Sequence, residues 1–540
     1  MSDVLTAARA WAAADPHDGD RAEIEALISE SDLDELGRRF AGPLTFGTAG
    51  LRGPLRAGPA GMNAAVVTRA AAGLGAWLAS SGHAGGGVVI GYDARRRSDE
   101  FARISAAVLT AAGFAVQVLP LPLPTPVLSF AVRHLGCVAG VMVTASHNPP
   151  DDNGYKVYLG DGAQLVPPAD REIEGAIAAV GSARDVPLSD DWLTLGDDVA
   201  ADYVATVVAA LEPARAGSPG DLTVAYTAMH GVGAATTRAV FAAAGLAEPV
   251  SVPEQDAPDP TFRTVAFPNP EEPGATDLLK ALAARVGADV AIAEDPDADR
   301  CAVVCGGRQL TGDEVGALLA DWLLRRGVRG TYASSLVSGS LMHVVAAAHG
   351  MPSEETPTGF KWIMRAGSDA APLVYGYEEA LGYSVAPSVA RDKDGISAAL
   401  AVALLAAELK AEGRTLLDRL DDLAREHGLF VTGQLSVRVE DLTVISDAMA
   451  RVRSAPPASL LGREVAYTDL ALEDPPVDAV RLLGDGVRVI VRPSGTEPKL
   501  KAYLETVVPV HEDAGLIAAR GRGEDELDQL RAEIAATLGL

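Results

Sequence analysis

The sequence is poor in cysteine. Only three cysteines occur among its 540 residues, at positions 137, 301 and 305, and their neighbours are apolar. Three such residues cannot build a disulfide framework, so we expect buried thiols in a reducing compartment. Cys301 and Cys305 also lack the further cysteine or histidine ligands that a zinc site requires.

Long apolar runs and positive charge are scarce as well. No apolar run reaches the ~20 residues needed to span a bilayer, so we predict no membrane segment. The opening stretch MSDVLTAARAWAAADPHDGD has no basic flank before an apolar core; we therefore expect no signal peptide and a cytoplasmic protein. A formal net charge of -28 argues against a nucleic-acid partner, although an anionic small substrate stays possible where basic residues converge.

The chain is long, and apolar runs alternate regularly along it with amphipathic segments. Hydrophobic residues make up 48% of a chain that exceeds what one core usually supports, so we expect several globular domains. Short apolar runs alternate with amphipathic Ala/Leu-rich segments, as where GVVIGYDARR is followed by DEFARISAAVLTAAGF. This alternation predicts α/β units with mainly parallel sheets, and ligands normally bind at the carboxyl ends of such strands.

Changes in composition predict four domains, at residues 1–212, 213–326, 327–427 and 428–540. The stretches EPARAGSPGD and RRGVRG separate the first three, which have the pattern of α/β units. The last domain differs, because LFVTGQLSVRVE and VRLLGDGVRVIVRP alternate with period two. That pattern predicts an antiparallel sheet beside helices, hence an α+β domain.

The stretch TASHNPPDDNGYKVY, residues 144–158, follows the apolar run CVAGVMV and sets a serine beside a histidine. Ser146 lies just beyond a predicted strand, but the flanking glycines of a G-x-S-x-G hydrolase elbow are missing. Because neighbours on an extended chain point to opposite faces, we expect His147 to be poorly placed to take the proton of Ser146. Taken by itself, the stretch is better explained by a serine that caps a helix or a turn.

The stretch AEDPDADR places Asp295, Asp297 and Asp299 at alternate positions after another apolar run. Carboxylates this close repel one another strongly unless a cation joins them. Oxygen ligands of this kind suit Mg²⁺, so the pattern predicts a magnesium site. A rival hypothesis takes Asp297 and Asp299 as the nucleophile loop of an aspartyl phosphotransferase, which the third carboxylate and the position far inside the chain fit less well.

Two more polar clusters lie in the second half of the chain. YGYEEALGY puts Glu378 and Glu379 in a glycine-bounded, aromatic-rich loop, where carboxylates could accept hydrogen bonds from sugar hydroxyls; acids on the first turn of a helix explain it equally well. VRPSGTEPKLK combines a guanidinium, hydroxyls and backbone donors on one tight loop, which is typical of a phosphate cradle. The candidates there are Arg492, Ser494, Gly495 and Thr496.

The motifs TASHNPPDDNGYK, DPDADR, GYEEALGY and RPSGTEPK, supported by FGTAGLRG and GYDARRRSDEFA, occur in an order that resembles the α-D-phosphohexomutase superfamily. The resemblance covers nearly the whole chain and is strongest to the phosphoglucomutase-2-type branch. It implies three α/β domains with mixed sheets and a C-terminal α+β domain around a central cleft. In chain order these would be the phosphoserine, metal-binding, sugar-binding and phosphate-binding domains.

The resemblance also implies roles for individual residues. Ser146 would carry the phosphoryl group, and a single Mg²⁺ would be held by Ser146, Asp295, Asp297 and Asp299. The sugar would be bound by Thr358, Gly359 and Glu378, and its phosphate by Arg492, Ser494, Gly495 and Thr496. Basic side chains near the reacting phosphates would be Arg52, Arg95, Lys156, Arg300 and Lys393.

The expected function is therefore a phosphosugar mutase that works through a phosphoserine and a sugar bisphosphate, which also serves as activator. Lys156 is the first candidate for the base, with its pKa lowered by burial, and His147 is the second. Glucose phosphate is the favoured substrate. Mannose and pentose phosphates stay open, because Ala380 stands where many hexomutases have a serine.

Two other classes of function remain on the sequence alone. One is a metal-dependent aspartyl phosphatase or phosphotransferase with Asp297 as nucleophile, and the other is a non-catalytic sugar-phosphate sensor. We expect no nucleic-acid or membrane partner, and either a monomer or a homodimer.

Overall fold

The computed structural model describes residues 2–45, 50–212, 222–439, 441, 443–493, 499–510 and 513–540. The chain forms two compact units. The first comprises residues 1–309 together with 382–408, and the second comprises residues 310–381 together with 409–540. Helices and strands are numbered below in chain order.

The first unit begins with three helices: α1 (Ser2–Ala14), α2 (Asp18–Glu30) and α3 (Leu33–Arg39). Their apolar faces share a small core that includes Ala8, Ile24 and Leu36. Side chains cap the second and third helices, because His17 Nδ1 accepts the amide of Asp20 and Asp32 accepts the amide of Glu35. Such caps satisfy amide groups that the first helical turn leaves without a partner.

The first sheet has six strands in the order β1-β5-β4-β2-β3-β6. These strands are β1 (Leu51–Pro54), β2 (Gly87–Tyr92), β3 (Ala115–Val118), β4 (Ala139–Val143), β5 (Asp152–Leu159) and β6 (Leu193–Thr194). Its helices are α4 (Ala64–Leu78), α5 (Ser98–Ala111), α6 (Thr125–His134), α7 (Ala169–Ala179) and α8 (Asp198–Leu211). β2 pairs in parallel with β3 and β4, whereas β5 is antiparallel to both of its neighbours. The central strand β4 is buried along its whole length.

The second sheet has the order β11-β10-β9-β7-β8. Its strands are β7 (Val224–Thr227), β8 (Val250–Ser251), β9 (Val290–Glu294), β10 (Cys301–Cys305) and β11 (Arg308–Gln309), with helices α9 (Gly233–Ala243) and α10 (Asp277–Val286). β7 is parallel to β8 and β9, and the hairpin from β9 to β10 is antiparallel. Strand β15 (Gly382–Ser384) and most of helix α14 (Gly395–Ala411) also belong to this unit.

The second unit begins with a parallel sheet. Its strands β12 (Thr331–Ser335), β13 (Ser353–Thr356) and β14 (Leu373–Glu378) are accompanied by α11 (Gly312–Arg325), α12 (Leu341–Ala348) and α13 (Phe360–Ile363). β12 lies between β13 and β14 and pairs in parallel with both. A reciprocal pair of hydrogen bonds between Thr311 and Glu314 starts α11, as the capping box of a helix does.

The rest of this unit is an antiparallel sheet in the order β16-β21-β20-β19-β18-β17. Its strands are β16 (Leu429–Arg438), β17 (Ser459–Leu460), β18 (Arg463–Asp469), β19 (Val480–Gly484), β20 (Val487–Pro493) and β21 (Lys499–Val508). Its helices are α15 (Leu416–His427), α16 (Thr443–Ser454) and α17 (Asp513–Leu538). Leu482, Val489 and Leu504 are among the residues of its apolar core.

The predicted fold class is confirmed: three α/β sheets are followed by a C-terminal antiparallel sheet with helices. The first two sheets are mixed, since each turns back through an antiparallel hairpin partner. Among the described residues, none of the helices combines the length and the apolar character that crossing a bilayer requires.

Candidate active site

Ser146 follows the end of buried strand β4 in a left-handed backbone conformation, with φ of 51°. Its amide donates to Thr144 Oγ1 at 2.8 Å, and the hydroxyl of Thr144 donates to Asp93 Oδ2 at 2.6 Å. All three residues are buried. A conformation that costs free energy in a non-glycine residue is thus held by a chain of buried hydrogen bonds, as is typical of functional positions.

The prediction that His147 points away from Ser146 is wrong. Ser146 Oγ lies 3.2 Å from His147 Nδ1, within hydrogen-bond distance. The physical reason is the left-handed turn at Ser146, which ends the alternation of an extended chain before His147 is reached. Burial, then the charges of Arg300 and Arg52, hold the pKa of His147 well below its usual 6.5, so its ring is neutral.

Arg95 lies beside Ser146 and contacts the backbone of the loop that follows it. Its guanidinium donates to the carbonyls of Ser146 and Asn148, both at 2.6 Å, and to those of Pro149 and Asp152, at 2.8 and 3.2 Å. A guanidinium with four backbone partners holds the loop after Ser146 in shape. Its place near the reacting phosphate, beside Ser146, stays a prediction.

Asp295, Asp297 and Asp299 follow strand β9 and are completely buried. One carboxylate oxygen from each lies within 4.8 Å of the others, so the three could hold one metal ion. Ser146 Oγ donates to Asp295 Oδ2 at 2.8 Å, which brings the serine to this acidic group. Thr125, at the start of α6, adds a 2.6 Å hydrogen bond to Asp297 Oδ2, a partner that no sequence motif indicated.

The acidic group fits a hard divalent cation. The Oδ1 atoms of Asp297 and Asp299 are buried and have no hydrogen-bond partner among the described residues. Buried carboxylate oxygens without donors are costly unless a cation satisfies them. Oxygen donors alone, without nitrogen or sulfur, suit a hard cation such as Mg²⁺.

Lys156 lies in the same cluster, but its predicted pKa shift has the wrong direction. Its Nζ is 2.8 Å from Asp297 Oδ2 and 2.9 Å from Asp299 Oδ2. Burial alone would lower the pKa of Lys156, but the charges of Asp297, Asp299 and Asp392 outweigh burial and raise it. Lys156 is therefore a protonated counter-ion in this arrangement.

The remaining predicted cations of the first unit lie around these groups. Lys393 Nζ is 3.3 Å from Asp299 Oδ2, and Arg52 donates to Asn148 Oδ1 at 2.9 Å. Arg300 forms an ion pair of 2.9 Å with Glu271, a residue that the motifs did not single out. The structure thus brings Arg52, His147, Lys156, Arg300 and Lys393 to the surroundings of Ser146 and the three aspartates.

Two aspartates that flank Lys393 fix its segment. Asp392 Oδ2 accepts the hydroxyl of Tyr158 at 2.6 Å and the amide of Gln164 at 2.7 Å. Asp394 Oδ1 accepts the hydroxyl of Tyr203 at 2.7 Å. The stretch RDKDG contains these acids, but nothing in the sequence indicates that their partners lie almost 200 residues or more earlier in the chain.

In the second unit, the predicted sugar-binding residues lie together. Glu378, the last residue of β14, accepts the amide of Gly359 through Oε1 at 3.1 Å. Thr358 Oγ1 is buried and has no hydrogen-bond partner in the described part of the chain. Glu379 differs from its neighbour, because its Oε2 accepts the hydroxyls of Ser335 and Ser338 at 3.1 and 3.3 Å.

The predicted phosphate loop is described only in part. Arg492 lies near the end of β20, opposite Lys501 of β21 in the antiparallel register. Ser494, Gly495 and Thr496 lie outside the described residues. Arg492 and Lys501 therefore stand side by side on the two strands that flank this loop.

Comparison with known proteins agrees with this architecture. The chain matches all four domains of the phosphoglucomutase/phosphomannomutase family in order. These are alpha/beta/alpha domain I at residues 43–184, alpha/beta/alpha domain II at 201–308, alpha/beta/alpha domain III at 311–427, and the C-terminal domain at 435–520. Together these matches span most of the chain.

Related sequences carry several mutase names. The chain is 44% identical to a "Probable phosphomannomutase" of Haemophilus influenzae, over 88% of this chain and 96% of that protein. It is 34% identical to a phosphopentomutase of Homo sapiens, over 90% and 88%. It is 35% identical to a phosphoglucomutase of Staphylococcus epidermidis, over 85% and 90%.

Solved structures give the same result. A Thermus thermophilus protein that is provisionally named a phosphomannomutase superposes on this chain with a TM-score of 0.72. The two are 28% identical, and the match covers 90% of this chain and 99% of that one. The open form of a Paramecium phosphoglucomutase gives a TM-score of 0.69 at 19% identity, over 93% and 97%, which supports the fold alone.

The fold and the matched domains define a phosphosugar mutase, which is an isomerase that moves a phosphoryl group within its substrate. The chain belongs to the phosphoglucomutase/phosphomannomutase family of the α-D-phosphohexomutase superfamily.

Proposed function

We propose that the protein interconverts glucose 1-phosphate and glucose 6-phosphate through a phosphoserine at Ser146 and a glucose bisphosphate intermediate. The observation that carries this proposal is the 2.8 Å contact between Ser146 Oγ and Asp295 in the buried acidic group. A hydroxyl at this place can receive a phosphoryl group whose charge neighbouring cations balance.

We propose that Asp295, Asp297 and Asp299 hold one Mg²⁺ together with Ser146. When bound, the ion supplies positive charge that stabilises the phosphoryl group during transfer. Arg52, Arg300 and Lys393 supply further positive charge around Ser146. Burial strengthens these interactions, because water is excluded and the effective dielectric constant is low.

The sugar hydroxyl that attacks the phosphoserine must lose its proton. Lys156 and His147 remain our two candidates, and their contacts suggest different parts. His147 has a neutral ring with Nδ1 at 3.2 Å from Ser146 Oγ, so it can accept a proton there. Lys156 is a protonated ammonium and suits stabilisation of negative charge, with proton donation to the departing serine oxygen as a second possibility.

The residues of the second unit are proposed to recognise the sugar phosphate. Glu378 would accept hydrogen bonds from sugar hydroxyls, with Thr358 and Gly359 beside it. Arg492, Ser494, Gly495 and Thr496 would bind the substrate's own phosphate. Because the bisphosphate has to present each of its phosphates to Ser146 in turn, this loop must accept either end of the sugar.

These roles correspond to the four predicted domains: phosphoserine at residues 1–212, metal at 213–326, sugar at 327–427 and phosphate at 428–540. We further propose a cytoplasmic monomer or homodimer that a sugar bisphosphate activates. The reducing compartment is supported by three buried cysteines without disulfide partners.

Glucose is our preferred sugar, with mannose and pentose phosphates as alternatives. The relatives above carry phosphomannomutase, phosphopentomutase and phosphoglucomutase names. Ala380 lacks the hydroxyl that many hexomutases have two positions after the sugar-binding glutamate. Values of kcat/KM measured for glucose, mannose and ribose 1-phosphates decide among them, and a preference for ribose would overturn the choice of glucose.

Trapping of the phosphoenzyme tests the mechanism. We expect incubation with glucose 1,6-bisphosphate to leave acid-stable phosphate on the wild type and none on Ser146→Ala. Phosphate that hydroxylamine removes, and that persists in Ser146→Ala, would instead identify an aspartyl nucleophile such as Asp297. If the wild type binds sugar phosphates but has no mutase activity, and Asp297→Asn does not change that binding, the protein is a sensor.

A further inference from the structure

Helices α1–α3 precede residue 43, where the first family match begins. One side chain of these helices is unusual, because Asp20 in α2 is a charged residue with a side chain only 4% exposed. A buried carboxylate persists in a fold only where donors satisfy it. The partners of Asp20 therefore indicate what these helices hold.

Asp20 has two kinds of partner outside the helices. Arg97 donates to both carboxylate oxygens, Nη1 to Oδ1 at 2.7 Å and Nη2 to Oδ2 at 2.9 Å. The backbone amide of Ala64, at the start of α4, also donates to Oδ2 at 3.0 Å. A bidentate guanidinium contact fixes the orientation of both side chains, as a single hydrogen bond does not.

Arg97 occupies a strained position. Its φ is 65°, a left-handed conformation that residues other than glycine seldom adopt. Arg97 is also the residue that precedes the first turn of α5. Its side chain is held by Asp20 and by Glu100, whose two oxygens accept Nε and Nη2 at 2.9 and 2.8 Å. We call residues 93–98 the DARRRS turn. The side-chain contacts of Arg97 with Asp20 and Glu100, on the outer side of this turn, stabilise its strained backbone.

The inner side of the DARRRS turn holds the Ser146 loop. The carboxylate of Asp93 accepts a hydrogen bond from the hydroxyl of Thr144, and the same hydroxyl oxygen accepts one from the amide of Ser146. Arg95 donates to the carbonyl of Ser146 at 2.6 Å. Asn153, at the far end of the loop, donates to the carbonyl of Arg96 at 2.9 Å and to Ser98 Oγ at 3.0 Å. The turn thus connects Asp20 on one side to the serine on the other.

We propose that Asp20 is a positioning residue for phosphoryl transfer: through Arg97 it holds the DARRRS turn, and the turn holds Ser146 at the acidic group. This inference rests on the proposed function of Ser146 as phosphoryl carrier. Asp20 touches neither the serine nor the aspartates directly in the contacts described, so its effect is transmitted by the turn.

The test compares Asp20→Asn with Glu23→Gln in the full-length protein. Glu23 is a matched control because it lies in the same helix, pairs with an arginine (Arg39, 2.5 Å) and accepts a backbone amide (Ala57, 3.3 Å). Its partners do not lead to the DARRRS turn. Asp20→Asn should lose more thermal stability than Glu23→Gln, because the side chain of Asp20 is 4% exposed and that of Glu23 is 41% exposed. A loss of stability therefore does not by itself show a positioning role.

Catalysis should separate them. We expect Asp20→Asn to lower kcat at least about 10-fold with KM unchanged, since displacement of a reacting group by about 1 Å can cost up to about 100-fold. Glu23→Gln should keep the wild-type kcat and KM. The rate at which glucose 1,6-bisphosphate phosphorylates Ser146, followed by intact mass, should fall in parallel with kcat in Asp20→Asn only.

Equal kcat values in the two variants would overturn the proposal. If Asp20→Asn does not accumulate as folded protein, Arg97→Lys takes its place, since it keeps the charge but loses the bidentate contact. It should lower kcat without changing KM, and a wild-type kcat would count against the inference. A wild type that never becomes phosphorylated on Ser146 would instead refute the proposed function itself.

Discussion

The ammonium of Lys156 lies 2.8 Å from Asp297 Oδ2 and 2.9 Å from Asp299 Oδ2, and all three side chains are buried. Lys156 therefore balances one negative charge of a group of three carboxylates. The other oxygens of Asp297 and Asp299 have no hydrogen-bond partner among the described residues. A divalent cation held by the three aspartates would stabilise the same carboxylates as Lys156 does.

Lys156→Met should make the fold depend on Mg²⁺. Removal of one partner of a buried charge pair costs about 3–5 kcal/mol, because the remaining charge stays buried without compensation. A cation that binds the folded state offsets this loss by mass action. We expect a lower Tm than the wild type in excess EDTA, and a larger rise in Tm when MgCl₂ is added.

Lys280→Met is the control for this experiment, since it removes a lysine from α10 without touching the acidic group. Its response to MgCl₂ should equal that of the wild type. If Lys156→Met and the wild type gain the same Tm from MgCl₂, the lysine and the metal do not stabilise the same carboxylates.

Arg95→Lys tests whether the carbonyl contacts of Arg95 stabilise the loop after Ser146. A lysine has one compact ammonium and cannot reach all four carbonyls that the guanidinium now satisfies. Each buried carbonyl left without a donor costs about 1–3 kcal/mol, so urea denaturation should show at least that loss in the free energy of unfolding.

Arg96→Lys is the matched control, because Arg96 is the next residue and its side chain is half exposed. Its free energy of unfolding should stay within about 0.5 kcal/mol of the wild type. If Arg95→Lys is equally mild, the carbonyl contacts of Arg95 do not stabilise the loop.

Asp392→Asn should weaken the placement of Lys393. The carboxylate accepts from Tyr158, from Gln164 and from the amide of Lys393 at 2.8 Å, and an asparagine would turn an NH₂ group toward one of these donors. We expect a loss of about 1–3 kcal/mol in stability and a lower kcat. Asp161→Asn, at an exposed position, should change neither, and a wild-type kcat in Asp392→Asn would contradict the proposed role.

Much of the site could be predicted because polar residues follow buried strands. This rule places Ser146 after β4 and Asp295 after β9, and their side chains lie 2.8 Å apart. The period-two alternation near the C-terminus likewise predicted the antiparallel sheet. Local patterns of this kind depend only on residues close in sequence.

What could not be predicted depends on backbone conformation and on distant partners. The φ of 51° at Ser146 turns His147 toward it, and no single-residue preference of serine indicates that conformation. Arg52 and Arg95 are the same residue type, yet one contacts a side-chain amide and the other four carbonyls. The pKa of Lys156 rises because carboxylates more than 140 residues away outweigh its burial.

A last prediction concerns pH and lies in the second unit. Asp321 of α11 is fully buried and accepts Arg419 through both oxygens at 2.8 Å and Arg325 at 2.9 Å. Burial alone would raise the pKa of Asp321, but hydrogen bonds from Arg419 and the charges of both arginines outweigh it and lower the pKa below its usual 3.8. The unfolded chain therefore binds this proton at a higher pH than the folded protein does.

The sign of the effect follows from this difference. The stabilisation is complete above the unfolded pKa and is lost as pH falls through the folded pKa. Asp321→Asn should thus be less stable than the wild type at pH 7 by about 3 kcal/mol, because two arginines lose their buried partner. The difference should shrink as pH falls below about 4, where the carboxyl of the unfolded chain takes up its proton before that of the folded protein does. Urea denaturation across this range measures it, with exposed Asp447→Asn as control; a difference that stays constant with pH would show that the charge of Asp321 contributes nothing.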